Sequence, residues 1–253
     1  MKKLFITCLV VVLMGCGQQK EEHILIVGTT VNYPPYESYS EHGEMEGFDI
    51  DISQALGKKL GVDIVVKDIG LDALVIALQQ KKIDCIISGM SITESRLQEM
   101  AMIPYQGDPV KELTLAFWNK TPENITSLED IARTQNPIVA VMVGSYQEEY
   151  LSKVSGIDMK SLDGTAELIM DIQYGKSQAV LFEPHIAEML KQQFPQLQLI
   201  PFQLPQEEWV LGNGIGIRKD NITLQQKVER AVQELKSEET IHTLEKKWFK
   251  EQR

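Results

Sequence analysis

Within nine residues the chain places Ser88, Gly89, Met90, Ser91, Thr93 and Arg96. Ser88 and Gly89 are small enough to let a ligand reach the backbone, and the run that follows is helix-compatible. Free N–H groups at a helix start, with the positive end of the helix dipole, suit a carboxylate or phosphate. The Arg96 guanidinium adds a planar fork of donors that matches a carboxylate bidentately. The chemistry on offer is capture of an anion. A plainer reading uses the same residues: Ser91-Ile92-Thr93-Glu94 fits a capping box, in which the serine hydroxyl is spent on the helix and Arg96 is a solvated side chain.

Three more stretches carry candidate chemistry. Tyr33-Pro34-Pro35-Tyr36-Glu37 sets two tyrosines and an acid on a loop stiffened by its prolines. Ser145 and Glu148 have capping-box spacing directly after the apolar run 138–143, which puts a second helix start at the end of a strand. Glu183 precedes Pro184, a residue favoured in the first helical turn, although glutamate is not among the preferred caps.

The elements that must position these groups follow from hydrophobic period. Residues 24–28, 63–67 and 83–87 are short apolar, β-branched runs and predict strands; 48–60 and the stretch from Leu71 through Leu78 carry apolar residues at helical spacing. Gly61 stops the first of these helices. Residues 24–96 therefore alternate strand and helix three times, which is a parallel α/β half. Residues 113–118, 138–143, 179–182 and 197–201 predict strands, with a short helix opening at Ser127 and helices over 163–174 and 184–193, giving a second α/β half. A return connection over 201–205, a strand over 214–218 and helices near 223–236 and 239–247 close the chain on the first half. The chain crosses between halves near 107–114 and 202–212, and a ligand is expected between them.

Composition narrows the partners. A chain of 253 residues, 43% apolar, can build a core in one large or two modest domains. Its formal charge is −11; removing the two lysines of residues 1–15 leaves −13 on the remainder, which argues against nucleic acid and anionic membrane surfaces and mildly favours cationic small ligands. Lys2 and Lys3, an apolar run too short to span a bilayer and Leu13-Met14-Gly15-Cys16 resemble a bacterial lipobox, so residues 1–15 are expected to be a signal peptide, Cys16 a lipid attachment point and 16–22 a tether. Cys85 is expected to be a small buried hydrophobe, and no spacing suggests a disulfide or metal site. His23, His42, His185 and His242 are scattered and receive no role.

Taken in order, Tyr33-Pro34-Pro35-Tyr36-Glu37, Gly47-Phe48-Asp49-Ile50-Asp51, Asp72-Ala73-Leu74, the Ser88–Arg96 stretch, Gly144-Ser145, Gly216-Ile217-Arg218-Lys219-Asp220 and Lys247-Trp248-Phe249 resemble the extracytoplasmic amino-acid-binding proteins of bacterial ABC importers, arginine-binding members above all. The resemblance implies a two-lobed, type II periplasmic binding protein fold, with one lobe from 23–110 and 207–253 and the other from 111–206. It implies that Arg96 grips a ligand α-carboxylate, that Ser88 and Ser91 with the backbone around Gly89 and Met90 bind the carboxylate and amino group, and that Tyr33 stacks on the ligand side chain. Ser145, Tyr146 and Gln147 would complete the carboxylate site, and Glu183 would pair with the α-ammonium. Thr30 stands where many members have aspartate, Leu71 where an aromatic often covers the ligand, and Tyr146 where threonine is common; Glu183 is one methylene longer than the usual aspartate.

Beside Tyr33, Glu37 is placed to pair a guanidinium stacked on the ring. Asp49 and Asp51 read as structural, and Tyr36 as packing. The expected function is capture of a cationic L-amino acid, arginine first, by a lipid-anchored monomer of the periplasm or cell envelope. It would deliver the ligand to an inner-membrane ABC permease without catalysis, cofactor or metal. The alternatives are another polar amino acid such as glutamine or histidine, or a cleft enzyme of the cyclohexadienyl dehydratase type, since that family shares the fold. A sensory domain is a further, minor alternative.

Overall fold

Two five-stranded sheets organise the chain in the computed structural model, which describes residues 24–107 and 109–249. The Cys16 lipid site, the signal peptide and the tether lie outside the described residues. The first part runs β1 (Ile24–Thr29), a small hairpin of β2 (Ser38–Tyr39) and β3 (Met45–Glu46), α1 (Phe48–Leu60), β4 (Asp63–Asp68), α2 (Leu71–Gln79), β5 (Cys85–Ile86), α3 (Glu94–Glu99) and β6 (Ala101–Gln106). The second runs β7 (Glu112–Trp118), α4 (Leu128–Ile131), β8 (Ile138–Met142), α5 (Tyr146–Leu151), β9 (Asp158–Leu162), α6 (Thr165–Gln173), β10 (Ala179–Phe182), α7 (Pro184–Gln193) and β11 (Leu197–Gln203). A 3-10 turn at Gln206–Glu208 leads back to β12 (Asn213–Ile217), α8 (Ile222–Ser237) and α9 (Thr240–Trp248).

The first sheet has the order β4-β1-β5-β12-β6, with β1 parallel to β4 and β5, and β12 antiparallel to β5 and β6. The second has the order β11-β7-β10-β8-β9, parallel from β10 to β9 and antiparallel from β10 to β11. Phe48, Ile52 and Leu56 recur every fourth residue on α1 and are fully buried, each contributing about 1.5–3 kcal/mol through burial. Gly61 ends α1 in the left-handed conformation, its N–H bonded to the Gly57 carbonyl. Both closing helices pack on α1, and Lys247 and the Trp248 indole donate to Asp51 at 2.7 Å.

Four expectations need correction. β6 and β9 are strands that hydrophobic patterning does not reveal, because each is an edge strand: β6 tolerates Pro104 and β9 is largely exposed. The predicted strand over 83–87 pairs regularly only at Cys85 and Ile86. Pro201 belongs to β11, paired with Thr114 on the opposite edge, so the return connection begins at Leu204 and not at 201. The two crossings lie side by side, with Val110 and Val210 exchanging backbone hydrogen bonds at 2.9 and 3.3 Å. Gly212 has φ +81°, and a Cβ there would stand 2.7 Å from the Gly107 carbonyl oxygen, so glycine is what allows the crossings to touch.

Candidate ligand-binding site

The carboxyl ends of β1, β5, β8 and β10 converge on one narrow cavity between the two sheet units. From the first unit come Thr30, Tyr33, Leu71, the Ser88–Ser91 loop and Arg96; from the second come Ser145, Tyr146, Gln147 and Glu183. Met142, Leu168, Leu181 and Phe182 also line it. These four are apolar residues of strand and helix, and nothing in their types distinguishes them from core.

The Ser88–Ser91 loop is held from behind. Ser88 Oγ accepts from the Thr30 N–H at 3.0 Å and donates to Glu37 Oε1 at 3.0 Å. The Gly89 N–H donates to Asp49 Oδ2, while the Tyr105 hydroxyl donates to Asp49 Oδ1 at 2.6 Å. Gly89 has φ +50°, and a Cβ there would press on the Tyr36 ring at 3.1 Å. Thr93, not Ser91, caps α3: its hydroxyl accepts from the Arg96 N–H at 3.3 Å. The Ser91 hydroxyl is therefore not consumed by the capping box that its sequence allows. Across the cavity, Ser145 caps α5, accepting from the Glu148 N–H at 3.2 Å, and Glu148 Oε2 accepts from Gly144 N–H at 2.7 Å.

Glu37 stands apart. Although only four residues from Tyr33, it is fully buried beneath Ser88 and does not line the cavity. The exchange of backbone hydrogen bonds between Tyr33 and Glu37 turns the loop back and points the acid away from the ligand space. Burial, with Asp49 beside it, holds the Glu37 carboxyl well above the usual range, and burial raises Asp49 to about 6. A guanidinium partner at Glu37 is not what this arrangement offers.

Two ionisable groups of opposite type remain at the cavity. Arg96 donates from Nη1 to the Ser91 carbonyl at 2.7 Å and from Nη2 to the Gly144 carbonyl at 2.8 Å. Two of its five N–H groups are thus spent on neutral oxygens, leaving three for the cavity. Burial lowers it to about 10, partly offset by Glu149 and Glu183, so it is charged at neutral pH. Among the described residues no carboxylate lies within ion-pair distance of it. Glu183 begins α7 yet makes no capping hydrogen bond. Burial raises it to about 7, against the charge of Arg96 and hydrogen bonds from Gln147 and Ser91. The Tyr146 hydroxyl, also buried at the cavity, has no hydrogen-bond partner among the described residues. A fixed cation, a poised acid and an unpaired hydroxyl suit a small zwitterion.

The family model for bacterial extracellular solute-binding proteins, family 3, matches residues 25–251. The chain belongs to this family. Its fold is accordingly the two-lobed type II arrangement, the two sheet units being the lobes and the crossings the hinge. A relative named probable ABC transporter arginine-binding protein ArtJ, from Chlamydia trachomatis serovar D, is 42% identical over 98% of this chain and 96% of its own. A crystal structure of a mutant of ArgBP from T. maritima superposes with TM-score 0.81 and 29% identity over 90% of this chain and 96% of that one. An ancestral arginine-binding protein bound to glutamine gives TM-score 0.79 and 31% identity over 90% and 98%. The chain is thus an amino-acid solute-binding protein of the ABC-importer type, and its family places it outside the cytoplasm. Among the described residues no helix is long and apolar enough to cross a membrane.

Proposed function

We propose that the cavity binds the zwitterionic head of an L-amino acid, with Arg96 on the α-carboxylate and Glu183 on the α-ammonium. The observation that carries this is the buried pairing of an Arg96 without a carboxylate partner and a Glu183 without a cap. The Ser88 hydroxyl and the Gly89 N–H are spent on Glu37 and Asp49 and hold the loop, so Met90 and Ser91 supply its backbone N–H groups to the carboxylate, and the helix start at Ser145, Tyr146 and Gln147 supplies more from the other lobe. Each charge-assisted hydrogen bond so formed contributes about 1.5–3 kcal/mol.

Arginine is the first candidate side chain, on the likeness to arginine-binding relatives and on the face of Tyr33, where a guanidinium would stack. Glu37 has no part in holding it; the Tyr146 hydroxyl is the open acceptor. One observation favours a second reading: Glu183 is the sole acid among the lining residues, so a neutral polar ligand such as glutamine also fits. Either ligand is bound without chemistry, since the poised acid is engaged by the ammonium and not by a leaving group. Closure of the lobes is the signal that a membrane permease reads, and Cys16 is the lipid attachment that keeps the protein at the membrane.

Thermal melting of unfolded-and-refolded protein, with L-arginine, L-lysine, L-histidine and L-glutamine in parallel, separates the readings. Arginine alone raising the midpoint supports the cationic ligand. Glutamine giving the larger rise makes the neutral ligand the native one, and a rise with none of them refutes amino-acid binding.

A further inference from the structure

His185, in the first turn of α7, stands between the candidate ligand acid and the hinge. Its Nδ1 lies 3.5 Å from Glu183 Oε2, an electrostatic contact between residues two apart in the chain. Its Nε2 lies 3.2 Å from the hydroxyl of Tyr36, which belongs to the other lobe. That hydroxyl is also within 3.2 Å of Gln106 Oε1 and accepts from Asn213 Nδ2 at 2.9 Å, while Asn213 Nδ2 donates to Gln106 Oε1 at 2.9 Å. Gln106 ends β6 and Asn213 begins β12, so the two residues flank the crossings. Glu183, His185, Tyr36, Gln106 and Asn213 all border one cavity on the hinge side, with Gly107 and Gly212.

We propose that His185 is a positioning residue that transmits the charge state of Glu183 across the lobe boundary to Tyr36, and through it to both hinge strands. The inference rests on the reading of Glu183 as the ligand's acid. Proton bookkeeping fixes two arrangements. The Tyr36 hydroxyl has one proton and two possible acceptors, Gln106 Oε1 and His185 Nε2. When Glu183 is protonated, its O–H faces Nδ1, the ring carries its proton on Nε2 toward the Tyr36 oxygen, and Tyr36 donates to Gln106. When Glu183 is ionised, the ring proton sits on Nδ1 facing the carboxylate, and Tyr36 turns to donate to Nε2. Going from the first to the second, the Glu183 proton passes to Nδ1 and the Nε2 proton leaves through the hinge-side cavity that His185 borders. Asn213 donates to both oxygens throughout. An arriving ammonium needs the ionised carboxylate, so binding selects the second arrangement and changes the bonding of Gln106 at the hinge.

Geometry and burial agree with this. Desolvation holds the imidazole below its ordinary value, so the ring stays neutral while Glu183 titrates near 7. Facing Glu183 are Arg96 from α3, Tyr146 and Gln147 from α5, Tyr33 and Tyr36 from the loop after β1, and Glu245 of α9 across the hinge-side cavity.

The test is nitrogen NMR of protein labelled with 15N-histidine, the His185 signals being those missing in His185→Leu. Ligand-free protein at pH 6 should show the proton on Nε2, and at pH 8.5 on Nδ1; adding L-arginine at pH 7 should produce the Nδ1 form. One tautomer under all three conditions overturns the inference. Arginine bound without a tautomer change overturns it too, while leaving amino-acid binding intact. If no amino acid binds, the reading of the cavity fails and the pH arm alone still decides the relay. Calorimetry of His185→Leu at pH 7 should show arginine affinity weakened about ten- to hundredfold, and unchanged affinity with a wild-type pH profile counts against the role.

Discussion

The Arg96 guanidinium donates to the Gly144 carbonyl at 2.8 Å, reaching from the first lobe to the second. The same group donates to Ser91 on its own side, and Ser95 and Asn32 add further bonds across the boundary, to Glu149 at 2.7 Å and to the Asp163 carbonyl at 2.6 Å. The residue proposed to take a ligand carboxylate is thus one of those that bond across the lobe boundary.

Arg96→Ala should therefore lose amino-acid affinity by about two to four orders of magnitude, the loss of two charge-assisted hydrogen bonds. The melting point of the ligand-free protein should fall by only about a few degrees, because the lost bonds lie at the lobe boundary and not in either core. Arg96→Lys keeps the charge but not the fork and should recover only part of the affinity. Calorimetry beside thermal melting checks both numbers.

Glu183 makes the affinity depend on pH. Its folded value, about 7, lies above its ordinary 4.5, so the ligand-free protein keeps a proton that the unfolded chain has already released. The stability contributed by this group is full below about pH 4.5 and falls as pH rises to about 7, by about 3 kcal/mol in all. Binding runs the other way. The ammonium needs the ionised form, so apparent affinity should drop up to about tenfold per pH unit below 7 and level off above it. Glu183→Gln should flatten that profile, and calorimetry from pH 5.5 to 8 reads it directly.

Glu37→Gln should leave affinity within about threefold of wild type, less than 1 kcal/mol, because the acid lies behind Ser88 and not at the cavity. The pair that Glu37 forms with Asp49 instead affects stability. Both carboxyls are raised, chiefly by burial, so protein stability should decline as pH rises through their range, and Glu37→Gln should lessen that decline. Denaturant midpoints at pH 5 and 8 are the measurement. A large loss of arginine affinity in this variant would put Glu37 back at the ligand.

Gly164→Ala tests closure by itself. Gly164 has φ −161°, an extended conformation that alanine adopts freely, but its Cβ would stand 2.9 Å from Cβ and Cγ of Asn32 on the opposite lobe. The clash exists only when the lobes meet, at a cost of about 1–3 kcal/mol. Ligand affinity should fall about five- to hundredfold with the ligand-free melting point nearly unchanged.

Much of this arrangement is legible in the sequence. The inward face of α1 at Ile52 and Leu56 and the β-branched runs of β1, β8 and β10 announce themselves because burial on one face or both imposes a period. β6 and β9 do not, since an edge strand needs no continuous apolar face. At the cavity, Ser88, Arg96 and Glu183 are readable because their types are costly to bury without a purpose. Phe182 and Leu168 are not, being indistinguishable from core. Glu37 misleads because nearness in sequence to Tyr33 is cancelled by the turn between them. The place of His185 depends on Tyr36, 149 positions away, and no local pattern reports that.

The most direct test of the zwitterion clamp is calorimetry of refolded protein with L-arginine, with agmatine, which lacks the α-carboxylate, and with 5-guanidinopentanoate, which lacks the α-ammonium. The account predicts one-to-one binding of arginine, with each truncated ligand at least about a hundredfold weaker, the worth of one buried charge-assisted contact or more. Equal affinity for agmatine would remove Arg96 from the ligand, and equal affinity for 5-guanidinopentanoate would remove Glu183.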